Sequence, residues 1–417
     1  MDQWKGNFQS MKIIIVGAGA SGMMAAITAA RRPGVKVTII EKNKSCGRKM
    51  FITGKGRCNV TNASDISDFF EKIPKNPEFL YSALYSFSNE MLMDWLKEKG
   101  LKLKTERGQR VFPVSDKSSD VIQVFTRELK KLGVEVLYDT KVTGIMKEGD
   151  RITGVKTTAG LMTGDHFILA AGGGSYPLTG SDGAVLGLLK KLGVRTHDFT
   201  PSLIPFIVAE KDVKDLAGVS LRNVRFSLYE GKKMLFTDIG EMLFTHNGLS
   251  GPLVLSASCL RRAGDLTGAV DLKPGLSHEE LDLRILKDFQ KYQNRALTNG
   301  LSDLLIQRLI PIVLDRAGIP GTQKIHDITK EQRKQLLNVI KRLEFTVTGT
   351  KPLAEAIISR GGVDVGEIDP STMRLVAYQN LSVSGELIDV DAFTGGYNLQ
   401  IAFSTGYLAG ENAGRTQ

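Results

Sequence analysis

The stretch KIIIVGAGASGMMAAITAARRPGVKVTIIEK, residues 12–42, holds a β-branched apolar run, a glycine-rich turn, an Ala-rich segment and a second β-branched run. That order predicts a βαβ unit, two parallel strands joined by a helix. Its turn, Gly17-Ala18-Gly19-Ala20-Ser21-Gly22, is a G-x-G-x-x-G that follows a strand and opens a helix, the context that gives the pattern weight. Glycines there permit a tight turn and let a pyrophosphate approach backbone N–H groups at a helix N-terminus, whose positive dipole end stabilises the anion. Glu41 follows the last glycine by 41 − 22 = 19 residues, at the end of the second strand. A carboxylate at that place accepts hydrogen bonds from both ribose hydroxyls of an adenosine and repels a 2′-phosphate. An ordinary βαβ turn accounts for the glycines alone; glycines, strand, helix and acid together point to a dinucleotide.

Directly after it, residues 42–62 read KNKSCGRKMFITGKGRCNVTN. A P-loop needs four residues between its first glycine and Gly-Lys-Ser/Thr, whereas six separate Gly47 from Gly54 and Gly56 takes the hydroxyl position, so nucleotide hydrolysis is disfavoured. Arg48, Lys49, Lys55 and Arg57 among glycines suit a loop that neutralises the phosphates held by the first turn and lays its backbone against an isoalloxazine ring. Cys46 and Cys58 are twelve apart and not C-x-x-C. A redox pair and two small buried residues are both open readings.

Outward from this region, a polar leader precedes Met11, and residues 88–100 and 118–133 read as helices closed by Gly100 and Gly133. The strands ITGVKTT and HFILA and the glycine cluster AGGGSYPLTGSDG follow. Around Pro201 the texture changes to short β-rich pieces, and from Ser277 it turns helical, with capping-box signals at Ser277/Glu280 and Thr329/Gln332. The fold class expected is α/β, a discontinuous Rossmann-like domain (residues 11–200 and 349–417) interrupted by a β-barrel insert (201–276 and 343–348) and a helical insert (277–342).

The 417 residues carry 55 Lys+Arg against 45 Asp+Glu, a net charge of +10 that favours an anionic partner. The cations are dispersed, with only doublets such as Lys130–Lys131, Lys190–Lys191 and Arg261–Arg262, so a solvated basic surface is expected rather than a nucleic-acid patch. No apolar run is long enough to cross a membrane. Three cysteines (Cys46, Cys58, Cys259) cannot build a disulfide framework, which fits a reducing cytoplasm. The five histidines show no ligand spacing with one another or with the cysteines, so no metal is expected.

The strings VGAGASGMMAA, EKNKSCGRKMFITGKGRCNVTN, ILAAGGGSYPLTGSDG, FTHNGLSGP and GELIDVDAFTGGYNLQIAFSTGYLAG together resemble the bacterial FAD-binding proteins long labelled NAD(FAD)-utilising dehydrogenases. That group includes aminoacetone oxidase and flavoproteins of bile-acid dehydroxylation, and is distantly similar to fumarate reductase flavoproteins. The resemblance runs from Met11 to Gly414 and implies an FAD domain interrupted by a barrel and a helical insert. Two departures stand out: LSVSGELID lacks the family's usual aromatic, and AAGGG replaces a T-G-G.

The resemblance assigns Gly17, Gly19, Ala20, Ser21, Gly22 and Glu41, with Lys42 beside it, to the ADP half of FAD. Arg48, Lys49, Gly56, Arg57 and Asn59 fall to the phosphates and flavin, and Val142 to the adenine. Ala171, Gly172 and Gly173 fall to the pyrophosphate or ribityl chain, and Gly385 and Glu386, with Asp389 nearby, to the ribityl hydroxyls. Gly396, Tyr397, Asn398 and Leu399 open a helix whose positive end suits a reduced, anionic flavin.

A second G-x-G-x-x-G is absent, so NAD(P)H is expected at most as a transient donor rather than as the occupant of its own domain. A small-molecule substrate then meets the flavin directly. His246, in FTHNGLSGP, is a candidate acid or substrate clamp, and Tyr176 after the glycine cluster is a second candidate. A turn that satisfies its own backbone explains the same string. Amine oxidation and reduction of an activated C=C both fit; flavin-dependent RNA modification and non-catalytic flavin binding are the alternatives. Oligomeric state is not legible, and no G-x-S-x-G elbow supports a hydrolase.

Overall fold

The computed structural model describes residues 10–261 and 264–415. The polar leader ahead of Ser10, and Arg262 of the Arg261–Arg262 doublet, lie outside the described residues. Contacts divide the chain into two compact units, residues 203–351 and the segments on either side of them.

The first unit is built on a five-stranded parallel sheet, in the order Leu381–Val383, His166–Leu169, Met11–Val16, Val35–Ile40, Glu135–Leu137. The central strand pairs Val16 with Ile40 on one side and with Leu169 on the other. Ile13, Ile15, Ile39, Phe167, Ile168 and Leu169 are all fully buried, which is why these strands read as unbroken apolar runs rather than alternating ones. Helix Ala20–Ala30 packs on helix Tyr397–Asn412 so closely that a Cβ on Gly406 would lie 2.3 Å from the Ser21 carbonyl oxygen, and one on Gly410 would lie 2.4 Å from that of Ala25. The last helix thus begins at Tyr397, two residues before its apolar pattern. An antiparallel sheet of Val142–Glu148, Arg151–Thr157 and Gly160–Met162 adds Ile152 and Val155 to the same core.

A small sheet missed by periodicity orders Thr61–Asn62, Arg110–Pro113 and Leu103–Glu106. Thr196–Ser202 pairs with Ile358–Val363 and carries Pro201 inside it, so the break in texture falls in the last strand before the second unit begins at Leu203. Pro is tolerated there because a two-stranded ribbon leaves an edge free of ladder bonds.

The second unit holds a closed six-stranded barrel, Phe206–Val208, Gly248–Ser250, Lys233–Thr245, Ser220–Glu230, Leu266–Asp271 and Leu343–Thr350, whose last strand pairs back to the first. Closure removes the exposed edges that short strands would otherwise present. Phe226, Phe244 and Phe345 are fully buried in it. Helices His278–Tyr292 and Lys330–Lys341 of the same unit carry capping boxes at Ser277/Glu280 and Thr329/Gln332. Lys341 ties its helix to the barrel through Asp271 at 2.6 Å. No helix among the described residues is long and apolar enough to cross a membrane.

Candidate cofactor site

The first turn is shaped by its own backbone. Gly17 has φ +105°, and a Cβ on it would meet the Ala170 carbonyl oxygen at 2.5 Å; a Cβ on Gly22 would meet that of Gly17 at 1.9 Å. Gly19 is different: nothing lies within 4 Å of its missing Cβ, so its face is open. It caps helix Ala20–Ala30 from an extended conformation with no side chain bonded to the first turn. The N–H groups of Ala20, Ser21 and Gly22 therefore point at the open side, the arrangement an anion requires. Glu41 is 7% exposed, its Oε2 accepting from Ala18 N at 2.7 Å and its Oε1 from Asn43 N and Nδ2. Those donors leave lone-pair capacity on Oε2 for a hydroxyl.

Asn43 also donates to Thr179 O, and Lys42 pairs with Asp182 at 2.8 Å, so the segment after the glycine cluster lies against Glu41. Ser181 in that segment is buried with an unpartnered Oγ, which stands 2.9 Å from where a Cβ on Gly172 would be. Neither Ser181 nor Asn43 carries a sequence signal of its own. Val142, buried, begins its strand.

A second group of residues gathers around Glu386. Its Oε2 accepts from Lys49 Nζ at 2.6 Å, and its Oε1 from Ser359 N, Ser359 Oγ and Ser175 Oγ. Gly173 is glycine because a Cβ would sit 1.8 Å from Ser359 Oγ. Gly385, with φ +70°, would place a Cβ 2.8 Å from that of Ser21, which brings this group beside the first helix. Helix Tyr397–Asn412 starts from Gly396 at φ +102°, again without a side-chain cap, and a Cβ there would strike the Thr61 carbonyl oxygen at 2.3 Å. Asn62 Nδ2 donates to the carbonyl oxygens of both Gly108 and Gly395. Nearby, Asn59 holds a buried Oδ1 with no partner.

The whole of residues 11–412 matches the model of the HI0933-like protein Rossmann domain. The chain belongs to the HI0933-like Rossmann family. It is similar to a 3-dehydro-bile acid delta(4,6)-reductase of Clostridium scindens, 30% identical over 409 residues, 96% of this chain and 98% of that one. It is also similar to a ribosomal RNA dihydrouridine synthase of Haemophilus influenzae, 29% identical over 94% of this chain and 96% of its relative. A quinol-fumarate reductase solved with menaquinol shares the fold at TM-score 0.50 and 15% identity, over 97% of this chain and 71% of that chain. This HI0933-like chain is thus an FAD-dependent oxidoreductase.

The residues present fit FAD: two glycine-led helix N-termini without side-chain caps, a buried acid at the end of the second strand, and orphaned buried oxygens on Asn59 and Ser181. Arg48 reaches Asn43 Oδ1 at 3.2 Å. Several residues expected at the cofactor have other partners. Arg57 is bound to Glu106 and Asp116 and stands 4.0 Å over the Phe112 ring, bracing its loop. Asp389 pairs with Lys75 and accepts from Gly361 N rather than joining Glu386. The Asn398 amide closes the preceding turn through Ala392 and Phe393, and Tyr397 packs edge-on against Phe69. Gly56 and Leu399 offer backbone and packing only.

Tyr176 is half-buried in a left-handed backbone conformation, φ +51°. His246 lies exposed in the two-residue turn between barrel strands Lys233–Thr245 and Gly248–Ser250. The three thiols are free and buried. Burial pushes Cys58 up to about 12 and also raises Cys46, whose Sγ is 3.2 Å from the Tyr138 hydroxyl, so neither is a ready thiolate. No group of side chains among the described residues is arranged to hold a metal ion.

Proposed function

We propose that this chain reduces a C=C bond conjugated to a carbonyl, in a small organic substrate or in a pyrimidine base. The observation that carries the reading is its full-length likeness to relatives named for two reductions that are chemically one. A delta(4,6)-reductase saturates a dienone, and a dihydrouridine synthase saturates the C=C of uracil next to a carbonyl. FAD, when bound, supplies the hydride for such a bond.

The chain's own residues hold and bias that cofactor. The first-turn N–H groups of Ala20–Gly22 take the pyrophosphate, and Glu41 the adenosine ribose. Lys49 fixes Glu386 in place for the ribityl hydroxyls while Ser359 and Ser175 fill its other lone pairs. The N-terminus at Gly396 and Tyr397 would turn a positive dipole end to the bound flavin and favour the negative charge it gains on reduction. Tyr176, whose hydroxyl has no hydrogen-bond partner among the described residues, is the candidate proton donor of this unit, and His246 that of the barrel unit. NAD(P)H enters as a transient donor.

The test is anaerobic. Holoenzyme reduced by light is mixed with 2-cyclohexenone, and the flavin band is followed; return of the oxidised band on mixing is expected, with NADH or NADPH able to bleach it again. Fast return with air and a primary amine as reductant, and none with the enone, would move the assignment to an oxidase.

A further inference from the structure

Two short helices of the first unit leave aromatic rings at the surface. In Ile66–Glu71, Phe69 is buried and meets Tyr397 edge-on at 4.9 Å, while Phe70, the next residue, is half-buried. In Tyr81–Ser86, Ala83 and Leu84 face the core, and Tyr81 and Tyr85, one turn apart, are 48% and 56% exposed. The fold gathers these rings: Phe70 lies 4.4 Å from Tyr81 and 6.0 Å from Tyr85, and the three ring planes are within 36° of one another. Neither tyrosine hydroxyl has a hydrogen-bond partner among the described residues. Carboxylates accompany the rings. Glu71 follows Phe70, and Glu78, in the turn Pro77–Leu80 that runs into the second helix, stands three residues before Tyr81 and so on its face. Both are exposed, with no cation partner among the described residues. Residues 65–98 hold seven acids against three lysines, a balance of −4 in a chain of +10, so the remainder carries 10 − (−4) = +14. Of those lysines, Lys75 is bound by Asp389 and Lys97 by Asp94, which leaves Lys72, half-buried.

We propose that Phe70, Tyr81 and Tyr85, together with Glu71 and Glu78, dock an arginine-bearing segment of a basic protein partner. Exposed ring faces accept a flat apolar group or a cation. The acids then select by charge. A nucleotide, an RNA strand or an anionic bilayer would bring phosphates against Glu71 and Glu78. A second copy meeting this face across a twofold axis would set the same acids against themselves. A guanidinium answers both features, stacking on a tyrosine ring while donating to a carboxylate; an ammonium, compact and strongly hydrated, does so less well. Tyrosine and arginine are also the residues that carry most of the energy of protein interfaces. Phe69 against Tyr397, and the Phe393 N–H on the Lys72 carbonyl oxygen, tie this segment to the start of the last helix, so the partner is held beside the proposed flavin end. Docking there is independent of which bond the flavin reduces.

The experiment uses FAD-loaded full-length protein and short fluorescent peptides of alternating Arg and Gly or alternating Lys and Gly, with Kd read by anisotropy across a salt series. Expected is binding of the arginine peptide that weakens with salt, the lysine peptide being weaker by about threefold or more. Tyr81→Ser/Tyr85→Ser should lose about tenfold, and Glu71→Gln/Glu78→Gln about threefold with a flatter salt dependence. Asp315→Asn/Glu331→Gln removes the same charge from exposed positions of the second unit and should change little. A retained visible flavin spectrum shows that each variant is folded, and the Glu71/Glu78 variant decides alone where the tyrosine variant loses its flavin. Equal losses in the two acid pairs, no binding by the parent protein, or an unchanged Kd in the folded tyrosine variant would overturn the proposal. So would a uridine-containing RNA held more tightly than the arginine peptide and lost with the tyrosines, or a dimer of the parent that the tyrosine variant dissolves.

Discussion

At Gly17–Gly22 one clash is within the βαβ unit, a Cβ on Gly22 striking Gly17, and the other is with Ala170 after the neighbouring strand, while the nearby acid Glu41 is held by the N–H groups of Ala18 and Asn43 and by the Asn43 amide. At Gly395–Gly396 the clash is with Thr61, more than three hundred residues away in sequence, and the nearby acid Glu386 is held by the Lys49 ammonium. The adenosine end is thus closed mainly within the chain's first segment, by Ala170, Thr179 and Asp182. The flavin end exists only once both segments of the discontinuous unit have met. It follows that loss of the acceptor at the first acid should release the cofactor outright, while the second should respond in graded fashion.

The largest effect is expected at Glu41. In Glu41→Arg a group that cannot accept hydrogen bonds replaces the acceptor of Ala18 N and of the ribose, and FAD should be absent from the purified protein by its visible spectrum. Glu41→Gln keeps one acceptor oxygen and should retain part of the flavin with an unchanged far-ultraviolet spectrum. Stoichiometric FAD in folded Glu41→Arg would break the comparison at its stronger side.

A middle-sized effect is expected from the clasp at the other end. Lys49 and Glu386 are 21% and 19% exposed, so removing one partner leaves a largely buried charge. Lys49→Met should cost about 1–3 kcal/mol in chemical denaturation, below the fully buried range because water still reaches the pair. Lys49→Met/Glu386→Gln should cost less than the sum of the singles, since no lone charge remains. Additive losses would show that the pair does not act as a unit.

This contrast also explains what was legible. The first turn, its strands and Glu41 all lie within residues 12–42, so local pattern was enough to read them. The barrel insert showed in texture because successive β-rich pieces replace strand–helix alternation there, although its strands Ser220–Glu230 and Lys233–Thr245 run to 11 and 13 residues and Pro201 lies inside the preceding strand Thr196–Ser202. The flavin end resisted reading for a physical reason. Thr61–Asn62 is a two-residue strand with no period to detect, and the partners of Glu386 come from residues 49, 175 and 359. Ser181 and Asn43 belong to no motif because their roles depend on a loop folding back over Glu41. Arg57 and Asp389, which the resemblance assigns to the cofactor, also pair with Glu106 and Lys75, partners that no spacing in the sequence indicates.

The smallest effect concerns the sheet beneath the adenosine end. His166 begins the strand that pairs with Met11–Val16; it is 2% exposed and its Nε2 lies 2.9 Å from Ser382 Oγ. Burial, reinforced by Arg374, Arg32 and Arg151, lowers its pKa to about 3. An unfolded histidine titrates near about 6.5. Between those values the unfolded chain binds a proton that the folded one refuses, so the stability tied to a neutral His166 is complete above about pH 6.5 and is lost as pH falls toward 3. The slope it contributes is at most about 1.4 kcal/mol per pH unit. Denaturation of the parent protein and of His166→Gln at pH 7.5 and 5.5 should show the variant losing less on acidification. Flavin release on lowering the pH should then track unfolding of the sheet rather than precede it. Release of flavin from a protein still folded at pH 5.5 would instead separate cofactor retention from the stability of this sheet and break the link to the adenosine end.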